Sequence, residues 1–358
     1  TSYSFYLWHW PVLAFMNYLN PGADDSISKA VRVALMLVVF VISLASLRWI
    51  ETPIRKRLSL KSRGMLLTVT MSLLITMFGV GWLIRHNEGF PERLNQTVTD
   101  FAEAGTRDRA IRAKFGGDNA EQAFNDTLPS FGSSSPSAPI KVLIWGDSHA
   151  GSILPPIATL CETHGVKGLI ASNSATVPML GGYYRPSRTG LDAKTPAWAA
   201  AVLSLVKKHR IPDTVLTAYW KESTGKNEEV FSQALISTVI ELKASGTRVW
   251  LMLDVPDLGF DAPKALAFHQ MLPWLYPDPR KISPTLAEHA KANRVTRGLI
   301  TQLEKAGATV LDPSPFLFNS ENHCLIEADK TVLYSDSHHL TISGAQRLRP
   351  LFEGIFEP

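Results

Sequence analysis

The sequence is poor in the features that mark metalloproteins, nucleotide enzymes and disulfide scaffolds. Only two cysteines occur in 358 residues, Cys161 and Cys324, and each stands alone in its neighbourhood, so no Cys-based metal spacing exists. They leave two arrangements open: one disulfide, if this part of the chain is extracytoplasmic, or two separate buried thiols. No GxGxxG or Walker pattern occurs, which leaves nucleotide binding without support. The net charge is only +4, and many basic residues crowd into one run, Arg55, Lys56, Arg57, Lys61 and Arg63. That clustering suits a membrane flank and argues against a nucleic-acid surface, which would spread Lys and Arg over the folded domain. An initiating methionine is also missing. The chain starts at Thr1 inside an apolar segment and reads as the C-terminal piece of a longer protein.

What the sequence has in plenty is apolar length near its start. Residues 3–19 are apolar and aromatic but interrupted by His9 and Pro11; residues 33–47 are uncharged between Arg32 and Arg48; residues 64–84 are uncharged throughout. A spanning helix needs about 20 such residues, so three spans are expected over residues 1–85. The basic loop between the second and third spans belongs in the cytoplasm, opposite the Asp24, Asp25 and Lys29 loop, which puts everything after Arg85 outside it. His9, between two tryptophans, is open to two readings, a polar contact in a helix bundle or a carrier of protons or acyl groups.

From residue 86 to 139 the chain is polar and ends in PSFGSSSPSAP, which reads as a spacer, with a short helix between Phe101 and Phe124 that could dock on the domain after it. From residue 140 to 358 short apolar runs alternate with helical patterns. Strands are expected at 140–145, 166–171, 214–219, 248–255 and 308–311, with helices near 152–161, 196–208, 229–244, 284–305 and 341–356. Five strands with helical crossovers make a three-layer α/β sandwich with a parallel five-stranded sheet. The long connection 258–278, rich in Pro, Leu and aromatics, is expected to line the substrate side.

The chemistry gathers at the two ends of this second region. KVLIWGDSHAGSI delivers Ser148 to a strand-to-helix turn, where α/β folds place their sites. A serine hydroxyl is a weak nucleophile and needs a histidine within hydrogen-bond reach, itself oriented by an acid. YSDSHHLT supplies both: Asp336 and His339 are separated by two residues, so one tight turn can hold carboxylate against imidazole. His338 competes for the role, and the Asp-x-x-His spacing favours His339. The expected catalytic set is Ser148, Asp336 and His339, with no metal and no bound cofactor.

GDSHA after a strand and YSDSHHLT near the C-terminus resemble the SGNH (GDSL-like) hydrolase superfamily, whose first block carries the serine and whose last carries Asp-x-x-His. SYSFYLWHWPVL and RWIETPIRKRL resemble the last segments of the acyltransferase-3 family. Together they resemble the fused acyltransferase-3/SGNH proteins that O-acetylate bacterial surface polysaccharides, such as the OafA and OafB type of O-antigen acetyltransferase. The resemblance implies inner-membrane helices, a periplasmic SGNH domain, a lipid-linked or nascent polysaccharide as substrate, and the rest of the acyltransferase-3 domain as partner. It also implies that the acetyl donor, acetyl-CoA, is handled by the missing membrane part. SGNH proteins usually add a glycine and an asparagine to the oxyanion hole. Here the second block, 171–178, lacks glycine and the third, 216–220, lacks asparagine, leaving Ser174 or Asn173 as substitute donors and Trp220 in the other region. The same triad would serve a carbohydrate acetylesterase, and a vestigial triad would leave a glycan-binding module.

Overall fold

The computed structural model describes residues 2–19, 29–56, 62–115, 117–187, 189–224 and 227–357. The chain divides into two compact units, 1–99 and 100–358.

The first unit is helical. Helix α1 (Ser2–Leu19) contains Pro11, and α2 (Lys29–Ser46) runs on through one π-helical turn, Leu47–Glu51, into α3 (Thr52–Arg55). Helix α4 (Arg63–His86) starts on a Ser62 cap and buries none of its side chains. Two stretches, Val33–Arg55 and Arg63–His86, are long and apolar enough to cross a membrane. The expected third, α1, is a helix but falls short of that test, because its tyrosines, tryptophans and His9 dilute its aliphatic residues. His9 gives its Nδ1–H to the Tyr6 carbonyl one turn back (2.7 Å), a polar contact inside its own helix. Ser4 Oγ donates to Glu51 (2.6 Å), tying α1 to the π-helical turn. Of the charges that set the expected orientation, Asp24, Asp25, Arg57 and Lys61 lie outside the described residues.

The second unit is built on a mixed sheet. Its strands are β1 (Ser130–Gly132), β2 (Ile140–Gly146), β3 (Lys167–Ser172), β4 (Asp213–Thr217), β5 (Arg248–Met252) and β6 (Ala308–Leu311), in the spatial order β1-β3-β2-β4-β5-β6. The five expected strands all pair in parallel, and β1 adds an antiparallel edge against β3. That edge falls in the stretch read as a spacer: Ser, Gly and Pro dominate its composition, but Phe131 is buried in the fold.

Strand β2 is buried on both faces, as a central parallel strand must be. Leu143 and Trp145 face a core shared with α6 (Ala120–Phe124), α8 (Thr195–His209) and the helices Glu228–Ala244 and Ile300–Ala306. The other face packs α7 (Ser148–Thr163), which in turn meets the short C-terminal helices Ile342–Gln346 and Arg349–Phe352. The expected helix 284–305 is three pieces, broken around Asn293 and Leu299, and the last expected helix breaks before Pro350, whose ring cannot donate to the ladder.

Helix α5 (Gln96–Phe115) belongs in part to this unit and matters for the site. Phe101 is buried, and a Cβ built on Gly105 would stand 2.3 Å from the Ser335 carbonyl oxygen. Only a glycine lets this helix lie so close to the segment that carries Asp336 and His339. Cys161 and Cys324 are two separate buried thiols, each pushed up to about 12 by burial.

Candidate active site

Strand β2 ends at Gly146, where the sheet admits no side chain: a Cβ on Gly146 would sit 1.9 Å from the Thr217 carbonyl oxygen of β4. The chain turns at Asp147, the N-cap of α7, so Ser148 is the first residue of that helix. Asp147 is buried and fully engaged. Its Oδ1 accepts from the His149 N–H (2.8 Å) and from His149 Nδ1 (3.1 Å), and its Oδ2 accepts from the Tyr219 N–H (2.8 Å). These bonds explain why β4 stops short of the expected Tyr219: the Tyr219 amide is spent on Asp147, and the next one, on Trp220, donates to Asp254 Oδ1 (2.8 Å).

The C-terminal segment arrives from the other side. Tyr334 and Leu340 form an isolated bridge, and the Ser335 N–H donates to the His339 carbonyl (2.8 Å), closing a tight loop. Inside it, Asp336 Oδ1 accepts the N–H groups of His338 (2.9 Å) and His339 (2.8 Å), while Oδ2 accepts from His339 Nδ1 (2.8 Å). A carboxylate can only accept, so the proton sits on Nδ1 and Nε2 keeps its lone pair. That nitrogen lies 2.7 Å from Ser148 Oγ. Residues 191 positions apart thus share one line of hydrogen bonds, Ser148 to His339 to Asp336.

The electrostatics favour this polarity. Burial pushes the Asp336 carboxyl up, but the hydrogen bond and charge of His339 and the two loop amides hold it well below the usual carboxylate range. His338 is pushed down to about 4, by burial first and then by His339 and His149, so it is neutral at physiological pH. Burial opposes charge on His149, yet the adjacent Asp147 outweighs it and raises its pKa. Burial lifts Asp254 to about 7; its Oδ2 and His149 Nε2 are both buried without a hydrogen-bond partner.

The serine opens into a cleft of about 430 Å³ lined by Asp147, Ser148, Ser174, Ala175, Arg185, Pro186, Ser187, Thr189, Tyr219, Glu222, Ser223 and His338. That volume lies within the roughly 300–1,000 Å³ of small-molecule sites. None of the lining residues comes from 258–278, contrary to expectation. That connection folds into the helix Ala262–Met271, and the lining is drawn from the loops after β3 and β4.

The three expected oxyanion donors fare differently. Ser174 lines the cleft, but its N–H is taken by Asp118 Oδ1 (2.6 Å), on a segment that Ser172 and Asn119 bind to the end of β3. Asn173 is buried and turns its amide to the Ser174 carbonyl (3.3 Å) and Thr176 Oγ1 (3.1 Å), away from a donor role. Trp220 is a core residue. Its side chain is fully buried, with the indole N–H donated to the Met252 carbonyl (2.8 Å), and it has no place in the cleft lining. Ser148 supplies the first amide of α7, at the helix end where the dipole favours negative charge.

Sequence reasoning did not single out Asp147, Tyr219, Arg185, Glu222 or Asp118. Asp147 was legible in principle, as the carboxylate before the serine at a helix start; the others are exposed or loop residues without a pattern. Asp336, His338 and His339 also bring metal-ligand atoms within 4.8 Å of one another, but the bond from His339 to Asp336 already commits two of the three.

A family model described as the SGNH domain fused to AT3 domains matches residues 113–354. Among solved structures, the fold is shared with the periplasmic domain of a lipopolysaccharide acetyltransferase from Salmonella ser. Paratyphi A. The two are 14% identical over 72% of this chain and 97% of that one, with a TM-score of 0.53. A GDSL-like lipase from Bacteroides thetaiotaomicron is 12% identical over 72% of this chain and 98% of its own, with a TM-score of 0.36. No curated protein sequence matches significantly. The match from residue 113 to 354 takes in the strand-to-helix serine, the Asp-x-x-His loop and every strand of the sheet, and the chain belongs to the family of SGNH domains fused to AT3 domains.

Proposed function

We propose that this chain is the C-terminal part of a membrane-anchored O-acetyltransferase that esterifies a sugar hydroxyl of a bacterial surface polysaccharide on the periplasmic side. The observation that carries the reading is the hydrogen-bonded line from Ser148 through His339 to Asp336, opening into a cleft of hydroxyl and charged groups. His339 Nε2 takes the Ser148 Oγ proton as Oγ attacks the acetyl carbonyl. Negative charge develops on the carbonyl oxygen, and the Ser148 N–H meets it at the start of α7. The intermediate collapses to acetyl-Ser148, and His339 returns its proton to the departing group of the donor. A sugar hydroxyl then gives its proton to His339, attacks the acyl carbon, and leaves as the ester while Ser148 Oγ regains a proton. Asp336 holds the imidazole in the tautomer each step needs.

The two apolar stretches, Val33–Arg55 and Arg63–His86, support an anchor in the inner membrane. The resemblance of residues 1–85 to acyltransferase-3 segments supports a donor side upstream, where acetyl-CoA would be used. The test is NMR of the surface glycan from cells carrying the full-length protein or its Ser148→Ala variant. Loss of O-acetyl signals in the variant supports the reading, unchanged acetylation refutes a covalent role for Ser148, and acetyl groups that increase in the variant identify an esterase.

A further inference from the structure

The cleft in front of Ser148 is lined by an ion pair that the chemistry of the triad does not use. Arg185 sits in the loop after β3 and Glu222 in the short helix Trp220–Ser223 after β4, and these two strands flank β2, which carries the serine. Arg185 Nη1 donates to Glu222 Oε2 (2.8 Å) and to the Glu222 carbonyl, so the pair bridges the two loops that line the cleft. Each partner is about half exposed, 45% and 48%, and an exposed pair of this kind contributes little to stability. Its place is better explained by what it presents to the cleft.

Resting on the functional reading above, we infer that Arg185 and Glu222 form the acceptor subsite and select a neutral sugar through two adjacent hydroxyls. A carboxylate offers two accepting oxygens, and a guanidinium offers donors in a fixed fork beside them. An alcohol both donates and accepts, so a pair of neighbouring sugar hydroxyls matches the two groups together, whereas a water-filled site for hydrolysis needs neither. Ser187 and Thr189, on the same loop as Arg185, add hydroxyls to that wall. The charge balance excludes an anionic sugar. Arg185 and Glu222 cancel, Asp147 is paired with His149, and His338 is neutral, so the described lining residues hold no surplus positive charge to offset a uronate or phosphate.

The test uses the full chain with Ser148→Ala, so that binding is read without turnover, and a panel of methyl glycosides. The neutral members are methyl mannoside, galactoside, glucoside and rhamnoside; the anionic control is methyl glucuronide. Saturation-transfer NMR should show at least one neutral glycoside bound, and its dissociation constant should rise at least tenfold in both Glu222→Gln and Arg185→Gln, with unchanged melting temperature. In the chain with Ser148 intact and an aryl acetate as donor, the ratio of acetyl glycoside to free acetate should fall at least tenfold in the same variants. Binding unaffected by both substitutions, preference for the glucuronide, or no neutral glycoside bound would overturn the inference. Glycoside binding that depends on the pair in a protein that never acetylates Ser148 would sink the functional reading and leave the subsite standing.

Discussion

Ser148 Oγ and His339 Nε2 stand 2.7 Å apart, and the His339 Nδ1–H is given to Asp336 at 2.8 Å. The geometry fixes one tautomer and so one direction for the proton, from serine to imidazole.

Replacing Asp336 by Asn removes that direction, because an amide offers both a donor and an acceptor to Nδ1 and no charge to the imidazolium. The Asp336→Asn variant should fold and should lose roughly 10³- to 10⁴-fold in kcat for aryl-acetate hydrolysis with little change in KM, measured by steady-state kinetics. A loss below tenfold would show that Asp336 serves only the loop.

Ser174 is the second cleft residue whose backbone amide is in question, and Asp118 occupies it at 2.6 Å. Substituting Asp118 by Ala frees the N–H of Ser174, a residue that lines the cleft. One oxyanion donor is worth about 10²–10³ in rate, and a partly aligned one less, so kcat should rise by roughly tenfold. A fall in kcat would mean that Asp118 holds the second block in its working position.

At Gly105 two effects of opposite sign meet. Helix propensity favours alanine by about 1 kcal/mol. The new methyl would stand 2.3 Å from the Ser335 carbonyl, a backbone atom next to Asp336, and that contact should win. Gly105→Ala should lower both the melting temperature and kcat, whereas Gly298→Ala, which meets nothing within 4 Å, should lower neither.

His289 is buried, and burial together with Arg297 pushes its pKa down to about 4. A histidine whose folded value is depressed binds its proton first in the unfolded chain. Its contribution is therefore complete above about pH 6.5 and is lost as pH falls through 4. Denaturant titrations should show up to about 3 kcal/mol of this loss between about pH 6.5 and 4, and His289→Gln should flatten that window.

Much of this site was legible in the sequence, and the reason is local. Ser148 follows an apolar β-branched run that reads as a buried strand, and Asp336 and His339 are close enough in sequence for one loop to pair them. The five parallel strands follow from the same periodicity. Features that depend on contacts between distant segments were not legible. Trp220 looked available for a functional role because its burial is decided by Met252, Phe231 and the far side of the sheet. Phe131 lies in a stretch whose composition reads as a spacer, though its burial against β3 makes it a strand. Arg185 and Glu222 meet only because the loops after β3 and β4 fold toward each other, which no spacing announces.

Capture of the acyl-enzyme decides whether Ser148 is the nucleophile. The full chain, incubated briefly with an aryl acetate, quenched in acid and digested, should show one acetyl group on the peptide containing Ser148 by tandem mass spectrometry. It should be absent in Ser148→Ala and should persist longer in Asp336→Asn. Acetate release without any acetyl on Ser148, or acetylation that maps to another residue and survives Ser148→Ala, would contradict a covalent role for this serine.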